Sequence, residues 1–230
     1  LAYILVAKYA DALPLYRLEK ILARYGGNIS RTAMANWIIR LDDVFRPLIN
    51  LLREHQLAGD YLQADETRIQ VLKEDGKVAT SDKWMWLVRG GPPDRPVVLF
   101  HYDASRSEDV PSRLLDGFAG VLQTDGYAGY NAVVKENGLT RVQCWGHTRR
   151  KFYEIRETHP GVEVFLDLVG DLYRKDREFM KSGSTSAKYR RRLCRPIIKA
   201  IDKWRKHQHC LPKSRLRGAL NYLADNWKGL

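Results

Sequence analysis

The spacing of the apolar residues changes at Leu57-Ala58-Gly59-Asp60, and that change divides an all-helical start from a stretch in which strands begin. Before it, Leu15, Leu18, Leu22 and Tyr25 recur at the three- and four-residue steps of an amphipathic helix. Pro14 suits the first turn of that helix, Gly26-Gly27-Asn28 ends it, and Ser30 is placed to cap a second helix with Met34, Trp37, Ile38 and Leu41 inside. A third helix is expected from Val44 to His55, with Pro47 in its first turn. Two short helices joined by a Gly-containing turn have helix-turn-helix proportions, with Arg31, Asn36 and Arg40 available to DNA; any helical hairpin has the same proportions.

Beyond Asp60, Tyr61 to Val71 reads as a strand, with Glu74-Asp75-Gly76-Lys77 as the turn that follows. Lys83 to Arg89 is a second strand, broken by Gly90-Gly91-Pro92-Pro93-Asp94, and Pro96 to Tyr102 a third. Connections this short favour an antiparallel meander. A helix from Glu108 to Asp116, a strand from Gly120 to Thr124, a helix from Tyr130 to Glu136 and a strand from Thr140 to Trp145 come next. From Thr148 onward the chain is expected to be helical, interrupted near Lys181 to Ser186. Three meandering strands, helix, strand, helix, strand, helix is the order of the ribonuclease-H-like fold, an α/β class with a mixed five-stranded sheet. Its first and fourth strands lie side by side.

That neighbourhood gives meaning to two aspartates. Asp65 lies on the first strand and Asp125 at the end of the fourth, so the fold brings them to one place although sixty positions separate them. Two carboxylates there suit Mg²⁺, a hard cation that takes oxygen ligands and keeps several waters, acting on a phosphodiester. Taken singly, Asp125-Gly126 is a turn after a strand and Asp65-Glu66 an edge-strand charge.

At 230 residues and 44% apolar the chain can bury a substantial core. No run approaches the roughly 18 apolar residues needed to span a bilayer, and no basic segment precedes the apolar opening Leu1 to Ala7, so neither a membrane anchor nor a secretory signal is expected. Residue 1 is not a methionine and is not expected to be the natural start. Cys144, Cys194 and Cys210 are too scattered for a disulfide framework, which suits a reducing cytosol. The net charge is +12: residues 1–147 hold 18 Lys and Arg against 18 Asp and Glu, residues 148–230 hold 21 against 9. A basic last third, with Arg149, Arg150, Lys151, Arg190, Arg191 and Arg192 within it, is the footprint expected for a polyanion, and equally that of a solvated helical face. Cys144-x-x-His147 has half of a zinc spacing, but His207, His209 and Cys210 lie in a tight cluster better suited to a helix end or loop. Trp84 and Trp86 share a strand face and are expected in the core.

Four segments in this order, Val6 to Arg17, Ala64-Asp65-Glu66-Thr67, Thr124 to Asn131 and Cys144 to Phe152, resemble the insertion-sequence-66 transposase family over nearly the whole chain. The resemblance implies a bacterial, cytoplasmic and nucleoid-associated Mg²⁺-dependent DNA transposase, with Mn²⁺ as a substitute and an Asp-Asp-Glu triad. Asp65 is then the first acid and Asp125 the second, with Cys144 and His147 supporting the site. Its partners are double-stranded DNA, as transposon ends and target, and further copies of itself. In the family the third acid is a glutamate in an Asn-Arg-Ala-Glu-like motif beyond a helical insertion. No such motif occurs up to Leu230, so the chain is expected to stop inside or just after the insertion and to be inactive alone. The expected domains are residues 1–57, helical; 58–153, the ribonuclease-H-like core; and 154–230, a basic helical insertion. An alternative is a non-catalytic DNA-binding protein or decayed relic with structural carboxylates. A junction-type nuclease of the same fold would draw its remaining acid from Glu154, Glu157 or Glu163.

Overall fold

A computed structural model describes residues 1–92 and 94–230, so Pro93 of the expected Gly90–Asp94 break lies outside the described residues. The chain forms two compact units, Leu1–Ala58 and Gly59–Leu230.

In the first unit α1 (Ala2–Leu5) runs into a π-helical turn at Val6–Ala10, followed by α2 (Leu15–Arg24) and α3 (Arg31–Leu57). Pro14 is the N-cap of α2, and the Ser30 hydroxyl accepts the amide of Ala33 to cap α3. Ile4, Ala7, Leu18 and Met34 make the core of this unit. The expected second and third helices are one continuous 27-residue helix. Nothing from Leu41 to Val44 breaks a helix, Arg46 pairs with Asp42 and Asp43 across the expected junction, and Pro47 is tolerated inside at the loss of one backbone bond. The second element is therefore not the short helix that the helix-turn-helix proportions required.

In the second unit the strands are β1 (Tyr61–Ile69), β2 (Lys83–Gly90), β3 (Val97–Asp103), β4 (Val121–Thr124) and β5 (Thr140–Gln143), in the order β3-β2-β1-β4-β5. The first three pair antiparallel; β4 is parallel to β1 and β5 to β4. This is the ribonuclease-H-like mixed sheet that the element order predicts. Gly120 permits the β1–β4 approach: its φ is +149°, and a Cβ there would sit 2.5 Å from the carbonyl oxygen of Asp60, to which Val121 donates its amide.

Strand alternation sorts the side chains. Leu62, Ala64 and Glu66 of β1 stand opposite Leu122 of β4 and Val88 and Trp86 of β2, on the buried face. That side carries α4 (Asp109–Leu114), the 3₁₀ turn Ala128–Tyr130 and α5 (Asn131–Glu136), with the Trp86 and Tyr130 rings edge-on at 6.0 Å. Trp84 and Trp86 are both buried, as expected. Tyr61, Gln63 and Asp65 take the other face.

After β5 come α6 (Trp145–Tyr153), α7 (Glu163–Lys181), α8 (Ala187–Lys206) and α9 (Arg215–Asn226). They share their own core of Phe152, Phe165, Val169, Ile201 and Leu223, against which Trp204 packs. Trp145, expected in the fifth strand, instead opens α6, with Cys144 as N-cap.

Candidate active site

Gln63 of β1 lies opposite Gln123 of β4 in a parallel pairing, and two residues further along the chain come Asp65, still on β1, and Asp125, just past the end of β4. Neighbouring strands are about 4.8 Å apart, so this register brings both residues to the carboxyl ends of the adjacent central strands. The rung behind them is tied by amides: Gln123 Oε1 accepts from Gln63 Nε2 at 2.6 Å and from the Tyr61 hydroxyl at 2.5 Å, and Arg89 donates to Gln63 Oε1 at 3.0 Å.

Asp65 is half exposed and faces His147, whose Nε2 lies 3.5 Å from Asp65 Oδ2, in the first turn of α6. Burial pushes the Asp65 carboxyl up. The His147 ring, the Glu66 amide donating to Oδ1 at 2.9 Å and the charge of Arg150 outweigh it, and the carboxyl stays below its usual range. Contact with Asp65, then with Cys144, pushes His147 up to about 10 against the opposing effect of burial. The imidazole is thus cationic at neutral pH. His147 also holds the Cys144 thiol below its ordinary value. The sequence brings Cys144, His147 and Asp65 together in this way.

Asp125 sits on a loop held from three sides. Its Oδ1 accepts the Tyr127 amide at 2.9 Å. From β5, Arg141 donates to the carbonyl oxygens of Asp125 (2.8 Å) and Tyr127 (2.7 Å), to Thr124 Oγ1 (2.8 Å) and to Asn131 Oδ1 (2.7 Å). From α9, the Tyr222 hydroxyl accepts the Gly126 amide at 3.0 Å. Both glycines give room to neighbouring side chains: a Cβ on Gly126 would lie 2.9 Å from Asn226 Nδ2, and one on Gly129 2.6 Å from Tyr127 Cζ.

Glu66 points away from Asp65, with a side chain only 1% exposed. Arg106 gives its Oε1 two bonds, at 3.0 and 2.6 Å, and the Tyr130 hydroxyl gives Oε2 one at 2.8 Å. Burial raises the Glu66 carboxyl above its ordinary value in spite of both partners. The Arg106 guanidinium lies 3.9 Å from the Tyr127 ring centre and 4.6 Å from that of Trp84.

Arg149 and Arg150 line a cleft of about 530 Å³ with Tyr153, Tyr173 and Arg177, whereas Lys151 lies over the Tyr222 ring. Arg190 is engaged with Asp176 at 2.6 Å. Arg191 and Arg192 are exposed and share a groove of about 630 Å³ with Lys188, Arg195 and Lys199. Glu154, Glu157 and Glu163 are all exposed, and Glu157 pairs with Arg156. Among the described residues no three His, Cys, Asp or Glu side chains converge as a metal-holding group. His207 ends α8 with Nδ1 2.7 Å from the Lys203 carbonyl oxygen, in keeping with the helix-end reading of the His207–Cys210 cluster. No helix among the described residues is long and apolar enough to cross a membrane.

The strand order defines a ribonuclease-H-like α/β protein. The chain belongs to the family described as Transposase IS66 family, whose profile matches residues 1–230, as the motif resemblance indicated. Uncharacterized protein y4qI of Sinorhizobium fredii is 32% identical over 222 residues, covering 90% of this chain and 41% of the relative. Uncharacterized protein y4jD of the same organism is 29% identical over 245 residues, covering 100% of this chain and 48% of the relative. The chain thus spans less than half the length of these relatives. Among solved structures, a cryo-EM structure of a simian T-cell lymphotropic virus intasome in complex with PP2A regulatory subunit B56 gamma aligns with a TM-score of 0.31 and 11% identity, over 70% of this chain and 54% of that one. The fold assignment rests on the strand order alone.

Proposed function

We propose that residues 59–230 carry part of the site at which a metal-dependent transposase cuts and joins DNA strands, with Asp65 and Asp125 as two of its metal ligands. The observation that supports this reading is the β1–β4 register, in which Gln63 faces Gln123 two residues before Asp65 and Asp125. Their chemistry fits Mg²⁺ or Mn²⁺: hard oxygens, one of them half exposed and held ionised. When bound, the metal supplies activation of the attacking oxygen and stabilisation of the leaving one. The chain's own groups orient and balance charge. His147 neutralises Asp65 on the open face, and Arg141 fixes the backbone of the Asp125 loop. Water would be the nucleophile in cleavage and the freed 3′-hydroxyl in joining, both at one site and without a covalent protein intermediate. By family resemblance the third carboxylate is a glutamate outside residues 1–230, and Glu154, Glu157 and Glu163 are surface charges.

Double-stranded DNA is the proposed partner. Arg149, Arg150 and Arg177 line one cleft, Arg150 close enough for its charge to act on Asp65, and Lys188, Arg192, Arg195 and Lys199 form a cationic track on α8. Holding two transposon ends would call for more than one copy of the protein.

Titration with Mn²⁺, followed by its electron paramagnetic resonance signal, tests the site. Asp65→Asn and Asp125→Asn are each expected to weaken binding at least about tenfold. Equal binding by the parent and both variants would sink the catalytic reading and leave the DNA-binding one.

A further inference from the structure

Glu66 follows Asp65 directly, yet strand alternation turns it to the opposite face of β1. Both of its oxygens are already taken, Oε1 by Arg106 and Oε2 by Tyr130, and its side chain is closed to solvent. A buried carboxylate paired in this way is a poor device for stability alone, since apolar residues of similar volume would hold the two elements at less cost in desolvation. What this pair adds is directional. Arg106 carries the contact onward, because its planar guanidinium lies against the Tyr127 ring while the Tyr127 hydroxyl donates to the Arg106 carbonyl oxygen. The amide of the same Tyr127 donates to Asp125 Oδ1. An unbroken line of contacts therefore runs from the strand that bears one aspartate to the carboxylate of the other.

We propose that Glu66 is a positioning residue which, through Arg106 and Tyr127, fixes the Asp125 carboxylate relative to the strand bearing Asp65, and that it is not itself a metal ligand. The proposal deepens the two-aspartate reading above and rests on it for its functional meaning. Arg106 is the coupling element: a lysine there keeps the charge but loses the pair of hydrogen bonds to Oε1 and the planar contact with Tyr127. Tyr130 bonds Glu66 and packs edge-on against the Tyr127 ring at 6.0 Å, so Tyr130→Phe, which keeps the ring and removes only the hydroxyl, is the internal control.

The test is amide hydrogen exchange of Tyr127 in the 230-residue chain, measured with Mn²⁺ affinity and Tm for Arg106→Lys, Glu66→Gln, Tyr130→Phe and the Arg106→Lys/Glu66→Gln double variant. Arg106→Lys and Glu66→Gln are each expected to speed Tyr127 exchange and to weaken Mn²⁺ binding about tenfold. The double variant should be no worse than the stronger single one, because both break the same line. Tyr130→Phe should lower Tm and leave Tyr127 exchange unchanged. Wild-type exchange in Arg106→Lys overturns the proposal. So does loss of Mn²⁺ binding in Glu66→Gln with Tyr127 exchange unchanged, the signature of a ligand. If Arg106→Lys does not fold, Tyr127→Phe, which removes only the hydroxyl bond, is read by the same exchange criterion. If the parent chain binds no Mn²⁺, the two-aspartate reading fails, and the exchange comparison alone still decides whether the clamp exists.

Discussion

A single imidazole sets the charge of the open side of the site. His147 is raised from 6.5 to about 10, so its stabilising effect is complete below its unfolded value and is lost as pH rises through about 10. Asp65 is lowered from 3.8, so its share is present above that value and lost as pH falls through the folded one. The two shifts describe one interaction, complete between roughly pH 4 and 6.5. Thermal melts of the parent and His147→Gln across pH should differ most in that window, by on the order of 1 kcal/mol after solvent screening, and converge above about pH 10. Gly129 makes a second test at this scale. Gly129→Ala must push Tyr127 off Arg106, with an expected loss of about 1–3 kcal/mol in chemical denaturation. Asp65 and Asp125 were expected near one another from the element order, and Cys144 and His147 beside them from the family resemblance. Glu66, Arg106 and Arg141 were not legible as site residues: each meets its partners through strand register or across many positions, and in the sequence they pass for ordinary charges in a neutral stretch.

Among the elements, the strands and their order followed from alternation and turn residues, while α3 did not. Its expected division at Leu41–Val44 came from counting Pro47 as a helix start, whereas the apolar spacing and the Asp42–Arg46 pair carry the helix through. Pro47→Ala should restore a backbone bond and stabilise this unit by about 1–3 kcal/mol, seen as greater residual helicity on heating by circular dichroism. The two long basic-region helices also differ. On α7, Arg174 pairs with Asp171 and Lys175 with Glu178, and Asp176 takes Arg190 of α8. Lys188, Arg192, Arg195 and Lys199, at helical steps on α8, pair with no carboxylate among the described residues. If α8 meets the DNA backbone, changing these four to Gln should reduce the slope of log affinity against log salt by about 3 to 4, at roughly 0.9 per phosphate contact. An unchanged slope would move the contact elsewhere.

At the scale of the whole molecule, each unit has its own buried cluster, Ile4, Ala7, Leu18 and Met34 in one and the sheet and four-helix cores in the other. Residues 59–230 expressed alone should therefore keep one cooperative calorimetric transition with Trp86 buried. Loss of that transition would mean the larger unit depends on the smaller. The change of period at Leu57–Asp60 coincides with the division between the two compact units, between Ala58 and Gly59. The sequence did not reveal that the helices after β5 build a separate core around Phe152 and Phe165, since apolar helical faces do not say which faces they meet.

The bare cations of α8 carry a further consequence. A helix with nine basic residues and one acid, beside a helix whose charges are largely cancelled, makes the molecule electrically lopsided. In the field of a polyanion such a body experiences a torque before it touches anything. Its encounters would begin already turned to one side, so that raising the salt slows arrival far more than it hastens departure.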